Sequence, residues 1–340
     1  MNSRGVKAVQ EKVDLSTNLC GFKLKNPIIL ASGFLGSSGD LLKRVAAKGV
    51  GAVVTKTVGM EERPGYKNPT VIEPMRNVVL NAMGLPNPGC REFAKEIGIA
   101  KEGGVPVIVS IFGTTPEEFA EVASEMDHAG ADMIEINISC PHATEMSDSA
   151  RALIGQNPEL TEKVLTAVRK ATRIPLIVKL SPNVTDITDF VTVAVKCNID
   201  AICAINTIQA LEIDPVLERP VLGNLLGGQS GPSIRCIALR KVADIALHLD
   251  RMKKKGKLEK GIPIIGVGGI RDAADVVRFM LVGATCVQVG SSILYDDLQV
   301  FPKITRGLEA HMRAKGYANT SEFKGKALGL LKHVSHPEAS

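Results

Sequence analysis

Short apolar runs alternate with amphipathic stretches along most of the chain. The apolar runs are rich in Val and Ile and are bounded by Gly or Pro, which is typical of parallel strands buried on both faces. The predicted strands are 27–31, 52–57, 107–111, 133–138, 176–180, 201–206, 262–267 and 285–289. Apolar spacing of three to four residues predicts helices at 40–48, 116–128, 158–171, 187–197, 237–249 and 273–281, with a last one near 302–315. Predicted N-caps are Asp40, Thr115 and Asp272.

Eight strands, each followed by a helix, predict an α/β fold, a single (β/α)8 TIM barrel. A doubly wound sheet is the alternative, but no GxGxxG motif opens a helix after the first strand. Two stretches, 59 to about 101 after strand two and 208 to about 235 after strand six, are predicted as irregular insertions on the catalytic face. We expect residues 1–316 to form the barrel domain and residues 317–340 to form a C-terminal tail of unknown role.

The composition is that of a globular protein and excludes several classes of function. Seven scattered cysteines without a CxxC pair argue against a disulfide framework, a zinc ribbon or a ferredoxin-type cluster, so no metal site is predicted. The chain has three tyrosines and no tryptophan, which disfavours an aromatic nucleic-acid platform. Part of the net charge of +5 lies in the basic run 251–257, which is interpreted as a solvated loop.

The pattern also argues against a membrane protein. Residues 1–17 lack the apolar core of a signal peptide, and the longest apolar stretches are too short to span a bilayer. A cytoplasmic protein that contacts neither membrane nor nucleic acid is therefore expected.

Polar side chains follow four of the predicted strands. Strand four runs into Cys140, and Lys56, Lys179 and Asn206 lie at the ends of strands two, five and six. A lone cysteine is usually a buried, inert filler, but as a thiolate it can act as a base or nucleophile. Because parallel α/β folds place their chemistry at the carboxyl ends of strands, the four ends together favour an active site.

Two glycine-rich turns follow the last two strands, at 266–270 (GVGGI) and 290–292 (GSS). Such turns are common for steric reasons alone, but in TIM barrels these two loops form the usual phosphate site. The two lysines indicate an anionic ligand or a Schiff base, or they are simple ion-pair partners. Asn81, Asn137 and Asn206 could match the C=O and N–H edges of a flat polar heterocycle, or could be structural.

The chain resembles the dihydroorotate dehydrogenases, in particular the catalytic flavoprotein of the soluble class 1B type, from about residue 15 to about residue 308. The motifs follow one another in barrel order, which makes the set specific. They are 26–27 (NP), 31–33 (ASG), 55–57 (TKT), 80–89 (LNAMGLPNPG), 137–141 (NISCP), 178–184 (VKLSPNV), 205–207 (INT), 227–232 (GGQSGP) and the two glycine turns.

This resemblance implies FMN as cofactor and dihydroorotate, oxidised to orotate, as substrate. It places the FMN phosphate on Gly268, Gly269, Gly290 and Ser291. It places the isoalloxazine ring against Ser32, Lys56, Thr57, Ser110, Asn137, Lys179, Ile205 and Gly231. It assigns the substrate to Lys56, Asn81, Ala82, Met83, Gly84, Leu85, Asn137, Asn206 and Thr207, with the amides of Met83, Gly84 and Leu85 on its carboxylate.

The resemblance also implies a mechanism and a partner. Cys140 would remove the C5 proton of dihydroorotate while a hydride leaves C6 for the flavin, and Lys179 would stabilise reduced FMN. Membrane-bound relatives carry Ser at the position of Cys140 and an amphipathic N-terminal extension. Class 1B implies a separate subunit with FAD and a [2Fe–2S] cluster that passes electrons to NAD, in a heterotetramer, or else a simple homodimer.

One departure keeps alternatives open. His142 stands where family members usually have Asn, and the segment 155–160 (GQNPEL) is similar to dihydropyrimidine dehydrogenases, which reduce uracil and thymine. Those enzymes lack the carboxylate loop at 81–85, so dihydroorotate is favoured. Two alternatives remain. One is a flavin-free barrel aldolase or isomerase that binds a sugar phosphate and uses Lys56 or Lys179 as its amine. The other is a non-catalytic electron-transfer or regulatory subunit.

Overall fold

Eight parallel strands close into a barrel, and they follow one another around it in chain order. The computed structural model describes residues 13–138 and 154–332. The strands are β1 (Thr17–Leu19), β2 (Phe22–Leu24), β3 (Ile28–Leu30), β4 (Ala52–Val54), β5 (Glu62–Arg63), β6 (Val71–Met75), β7 (Val78–Asn81), β8 (Asn87–Pro88), β9 (Val107–Ile111), β10 (Met133–Asn137), β11 (Leu176–Leu180), β12 (Ala201–Ala204), β13 (Ile208–Ala210), β14 (Ile213–Asp214), β15 (Arg219–Pro220), β16 (Gly227–Ser230), β17 (Ile264–Val267) and β18 (Cys286–Val289). The barrel consists of β3, β4, β9, β10, β11, β12, β17 and β18, so the predicted TIM barrel is confirmed and its eight strands are those predicted from the sequence.

Helices lie between the barrel strands and cover the outside of the barrel. They are α1 (Gly39–Ala46), α2 (Cys90–Lys101), α3 (Pro116–His128), α4 (Pro158–Ala171), α5 (Thr188–Lys196), α6 (Arg235–Lys254), α7 (Ala273–Leu281), α8 (Ile293–Asp296), α9 (Val300–Lys315) and α10 (Leu328–Leu331). Thr115 and Asp272 cap α3 and α7 as predicted, each accepting a hydrogen bond from an amide three residues on. The prediction of Asp40 as a cap is wrong, because Ser38 caps α1 and Asp40 lies in its first turn.

Two boundaries differ from the sequence prediction. The first insertion was predicted to continue to about residue 101, but α2 occupies its last part, beginning after Gly89. Gly89 offers no capping side chain, so the usual sequence signal for a helix start is missing there. The basic run at 251–257 is not simply a loop, since α6 continues to Lys254. Lys and Arg are good helix formers and are favoured in a last turn by the helix dipole.

The inside of the barrel is filled in layers. An apolar cluster takes one or two side chains from each barrel strand, including Met133, Ile177 and Cys286. Leu19 and Leu24, from the antiparallel pair β1–β2, pack against the same cluster. The hairpin therefore closes the amino-terminal end of the barrel, and the opposite end carries the open mouth.

The two long connections join above that mouth. Strands β5 to β8 lie between β4 and α2, and β13 to β16 lie between β12 and α6. They meet in one four-stranded sheet of order β13-β16-β7-β6, in which Gly228 pairs with Asn81. Segments far apart in sequence thus form one wall at the carboxyl ends of the barrel strands.

Residues that follow α9 return to the barrel. Gly316 ends α9 in the left-handed conformation (φ 70°), and Phe323 is completely buried in the main core, stacked on Tyr317 with 5.2 Å between ring centroids. Lys324 donates to the hydroxyl of Thr285, just before β18. Residues 317–332 therefore pack on the barrel. Within the described part of the chain, every helix is too short or too polar to cross a bilayer.

Candidate active site

A cavity of about 410 Å³ opens at the carboxyl ends of the barrel strands. Its volume lies in the range typical of small-molecule and cofactor sites. The cavity is lined by most of the residues that the sequence predicts to bind a cofactor, namely Ser32, Lys56, Thr57, Asn137, Lys179, Ile205, Gly231, Gly268, Gly269, Gly290 and Ser291. It is also lined by residues that the sequence predicts to bind the substrate, namely Lys56, Asn81, Met83, Gly84, Leu85, Asn137, Asn206 and Thr207.

Three predicted residues are not in that lining. Ser110 and Ala82 are buried behind the surface, with exposed fractions of 0% and 1%. Cys140 lies outside the described residues, as does the neighbouring His142. The cavity therefore brings together most of the predicted binding residues. The role of Cys140 as the base stays a prediction from the sequence.

A chain of polar side chains crosses the mouth. Asn206 donates through Nδ2 to Oδ1 of Asn137 (3.2 Å), and Asn137 donates through Nδ2 to the hydroxyl of Thr57 (3.3 Å). The Thr57 hydroxyl also contacts those of Ser110 (2.9 Å) and Ser32 (3.2 Å). Ser110 thus supports a residue of the lining without reaching the cavity itself. The network fixes which way each amide presents its oxygen and nitrogen.

Lys56 extends from the end of β4 into this mouth. It is only 8% exposed, and its ammonium lies 3.4 Å from the carbonyl oxygen of Gly33 and 3.3 Å from the sulfur of Met83. Burial lowers the pKa of Lys56 to about 8. A carboxylate bound in the cavity would counteract this desolvation, so the site favours an anion beside Lys56.

Lys179 lies on the cavity floor in a buried triangle. Its ammonium donates to Glu135 (3.2 Å) and to Gln288 (3.1 Å), and Gln288 donates to the other carboxylate oxygen of Glu135 (2.5 Å). Burial alone would lower the pKa of Lys179, but the adjacent carboxylate of Glu135 raises it above its ordinary value. Neither Glu135 nor Gln288 is predicted from the sequence as a site residue. The available signal was a pair of polar residues at inward positions of otherwise apolar strands.

The loop at residues 81–85 is held from outside the cavity. The amide of Tyr66 donates to the carbonyl of Met83 (3.0 Å), and Asn87 donates to the carbonyl of Leu85 (2.8 Å). Gly84 (φ 74°) could not carry a side chain, because a Cβ would lie 2.8 Å from the ring of Tyr66. In a trans peptide the N–H points opposite to the C=O, so the amide of Gly84 points away from Tyr66.

The glycine turns after β17 and β18 form one cradle. A Cβ at Gly269 would lie 2.9 Å from the backbone nitrogen of Arg235, and one at Gly290 would lie 3.1 Å from the ring of Phe34. The hydroxyl of Ser292 donates to the carbonyl of Ile270, which joins the two turns. Gly268, Gly269 and Gly290 line the cavity, and because they have no side chains, their backbone amides are accessible to a ligand.

Buried Asp275 of α7 fixes the first of these turns. Its carboxylate accepts hydrogen bonds from the amide of Arg271 (2.9 Å) and from the guanidinium groups of Arg235 and Arg278 (2.8 and 2.7 Å). This anchor was not predicted from the sequence. The apolar part of the lining was also missed, namely Phe34, Leu35, Val71, Val79, Ile234 and Leu294.

The fold and cavity define a class: a (β/α)8 barrel enzyme whose cavity, at the carboxyl ends of the strands, is lined by two glycine turns, two buried lysines and several asparagine amides. The sequence model of the dihydroorotate dehydrogenase family matches residues 14–312. The chain belongs to this family.

Individual relatives are similar over nearly their whole length. The chain is 45% identical to a protein of Methanothermobacter thermautotrophicus over 314 residues, covering 92% of this chain and 98% of the relative. It is 44% identical to one from Pyrococcus abyssi, over 92% of this chain and 99% of the relative. It is 43% identical to one from Pyrococcus furiosus, over 93% and 99%. All three are named dihydroorotate dehydrogenase B (NAD(+)), catalytic subunit.

Proposed function

We propose that this chain oxidises dihydroorotate to orotate in pyrimidine biosynthesis and that FMN is its cofactor. The observation that carries the proposal is that the cradle, both lysines and the loop at residues 81–85 meet in one cavity. Family membership and the names of the relatives support the same activity.

The cavity residues fit a flavin mononucleotide. Gly268, Gly269, Gly290 and Ser291 would bind the phosphate. A Cβ at any of the three glycines would lie within 3.1 Å of a neighbouring atom, so the close packing of this cradle requires glycine. Exposed backbone amides in these two loops are the usual phosphate site of TIM barrels. Ser32, Lys56, Thr57, Asn137, Lys179, Ile205 and Gly231 would hold the ring system, with Ser110 behind Thr57. Bound FMN would supply the hydride acceptor, a role that amino-acid side chains cannot fill.

Dihydroorotate presents a carboxylate and a cyclic imide, and the remaining side chains match both. Lys56 and the amides of Met83, Gly84 and Leu85 would bind the carboxylate. Asn81, Asn137, Asn206 and Thr207 would bind the imide edge, because amide and hydroxyl groups can match its C=O and N–H groups. Cys140 would take the C5 proton on its sulfur.

The reduced enzyme then needs an electron acceptor. We propose a partner subunit with FAD and a [2Fe–2S] cluster that passes electrons to NAD, because the relatives are named catalytic subunits of NAD-linked enzymes. The assembly would be cytoplasmic, either a heterotetramer or built on a homodimer.

An anaerobic visible titration tests the proposal. The purified protein is titrated with dihydroorotate and, separately, with dihydrouracil. Bleaching of a yellow spectrum by dihydroorotate alone is expected, since only that substrate carries a carboxylate for Lys56. Bleaching by dihydrouracil alone would instead identify a dihydropyrimidine dehydrogenase and make His142 the residue to study. A protein that stays colourless after FMN is added would point to a flavin-free barrel enzyme.

A further inference from the structure

The floor of the cavity is a polar layer set directly on the apolar interior of the barrel. Met133, Ile177 and Cys286 belong to the interior cluster. The residues two positions further along the same strands face the same way, because side chains alternate along a strand. These are Glu135, Lys179 and Gln288, the members of the buried triangle.

A complete charge pair in this position is unusual. Barrel interiors are dominated by Val, Ile and Leu, and apolar side chains of similar volume often stabilise a fold as well as a buried ion pair does. Glu135 is 0% exposed and Lys179 is 5% exposed, so desolvation of both charged groups costs free energy on folding. Stability therefore does not explain why the pair is present.

The two charges of the triangle lie at different depths below the cavity. Lys179 and Gln288 line the cavity, whereas Glu135 does not and lies beneath them. The ammonium is thus nearer to a ligand than the carboxylate that balances it. Cys203 lies opposite Lys179 in the register of β11 and β12, and burial holds the pKa of its thiol well above its ordinary value, so it remains neutral.

We propose that Glu135 is a positioning residue that acts through Lys179. It fixes the ammonium at the cavity floor and offsets part of its positive charge, and in this way it sets the midpoint potential of a flavin bound above it. This inference rests on the proposed function, because it requires FMN in the cavity. Gln288 completes the triangle and contributes no net charge.

The sign of the effect follows from the charges. Reduction of a flavin bound above the floor would place negative charge near Lys179, and the carboxylate of Glu135 would offset part of the stabilisation that the ammonium gives. Glu135→Gln removes that offset while keeping the size of the side chain. The titration is run at pH 6 to favour the protonated lysine, and we expect the midpoint potential of Glu135→Gln to be less negative than that of the wild type. The expected change is at least tenfold in the ratio of reduced to oxidised flavin, which is about 30 mV for a two-electron couple.

Two variants serve as controls for charge. Gln288→Met breaks the triangle without changing its charge, and we expect a change of less than tenfold. Glu135→Asp restores the charge, and its midpoint should return toward that of the wild type. A role of Glu135 in folding alone would lower the melting temperature of Glu135→Gln without moving the midpoint.

A second variant keeps the test decisive if Glu135→Gln does not fold. Glu135→Leu combined with Lys179→Met replaces the pair by the kind of side chains that fill most barrels, and we expect it to fold. Its midpoint should be more negative than the wild-type value, since the cation is gone.

The experiment is a spectroelectrochemical titration of each flavin-loaded protein. A Glu135→Gln midpoint equal to or more negative than that of the wild type overturns the proposal, as does a wild-type midpoint in the double variant. A wild type that binds no FMN would overturn both this inference and the proposed function. A yellow, dihydroorotate-reducible wild type with unshifted variants would overturn the inference alone.

Discussion

Asn206 donates a hydrogen bond to Asn137 across 3.2 Å, although β11 separates the two strands from which they extend. The bond passes over the end of β11, so it ties the mouth of the barrel together rather than continuing the sheet. Since Asn137 in turn donates to Thr57, its amide is fixed from both sides. Hydrogen bonds within the protein are therefore sufficient to orient these groups.

Asn206→Ala should weaken catalysis while leaving the flavin in place. The substitution removes one proposed substrate contact and releases the oxygen of Asn137 at the same time. Loss of a partly buried hydrogen bond of this kind costs about 1–3 kcal/mol, so kcat/KM for dihydroorotate should fall roughly 5- to 150-fold. Steady-state kinetics and the flavin-to-protein ratio measure this, and Gln209→Ala, an exposed site nearby, serves as control. An unchanged kcat/KM would remove Asn206 from the proposed site.

The affinity for orotate should decline in mild alkali. Burial lowers the pKa of Lys56 to about 8, so the free enzyme loses this positive charge as the pH rises through that value. The dissociation constant of orotate should then rise by up to about tenfold per pH unit above 8, because the anion no longer finds a charged partner. Titrations from pH 6.5 to 9.5 test this. In Lys56→Arg the guanidinium keeps its charge, and the inflection should disappear. A wild-type affinity that is constant across the range would contradict the role given to Lys56.

Cys140→Ala should abolish turnover and retain FMN. Only the thiolate can accept the C5 proton, so the wild-type kcat should rise with pH, and the alanine variant should lose that dependence along with its activity. Cys236→Ala, at an exposed position on α6, is the matched control and should behave like the wild type. An active Cys140→Ala protein with full flavin content would show that another group is the base.

Gly269→Ala should lose the cofactor. The residue has φ 74°, and a Cβ would lie 2.8–3.0 Å from atoms of Arg235, including its backbone. The turn would have to move away from the cradle, so we expect purified protein with little bound flavin. Gly98→Ala provides the control, because a Cβ there meets nothing within 4 Å on helix α2. It should keep the flavin and gain up to about 1 kcal/mol in stability. Normal flavin content in Gly269→Ala would place the phosphate elsewhere.

The sequence predicts those elements of the structure whose residue pattern lies within one short stretch of the chain. Barrel strands are buried on both faces, so each appears as a continuous apolar run, and the site residues at their ends follow directly from that assignment. Helix α2 was missed because Gly89 gives no capping signal. Its apolar residues at Cys90, Phe93 and Ile97 show the helical spacing only once the start of the helix is known.

The floor of the site illustrates what local patterns leave out. Glu135 lies 44 residues before Lys179 and 153 residues before Gln288, and each alone is one polar residue in an apolar strand. Only closure of the barrel brings β18 to the same interior as β10 and β11. The same holds for the wall formed by β7 and β16, which pair only in the folded chain.

Phe323→Ala should destabilise the whole barrel, although the residue follows the last barrel helix. Its ring is 0% exposed and packs on Tyr317 and His311, with centroids 5.2 and 6.1 Å away. Truncating a buried Phe typically reduces the free energy of unfolding by roughly 3–5 kcal/mol, which a denaturant titration measures. Leu330→Ala is the control, since that side chain is 82% exposed and its truncation should change stability little.

Weaker flavin retention is also expected in Phe323→Ala. Lys324, the next residue, donates a hydrogen bond to Thr285 just before β18, and β18 leads into the cradle at Gly290. Equal unfolding curves for Phe323→Ala and the wild type would contradict this role of Phe323 and favour a barrel domain that ends at residue 316.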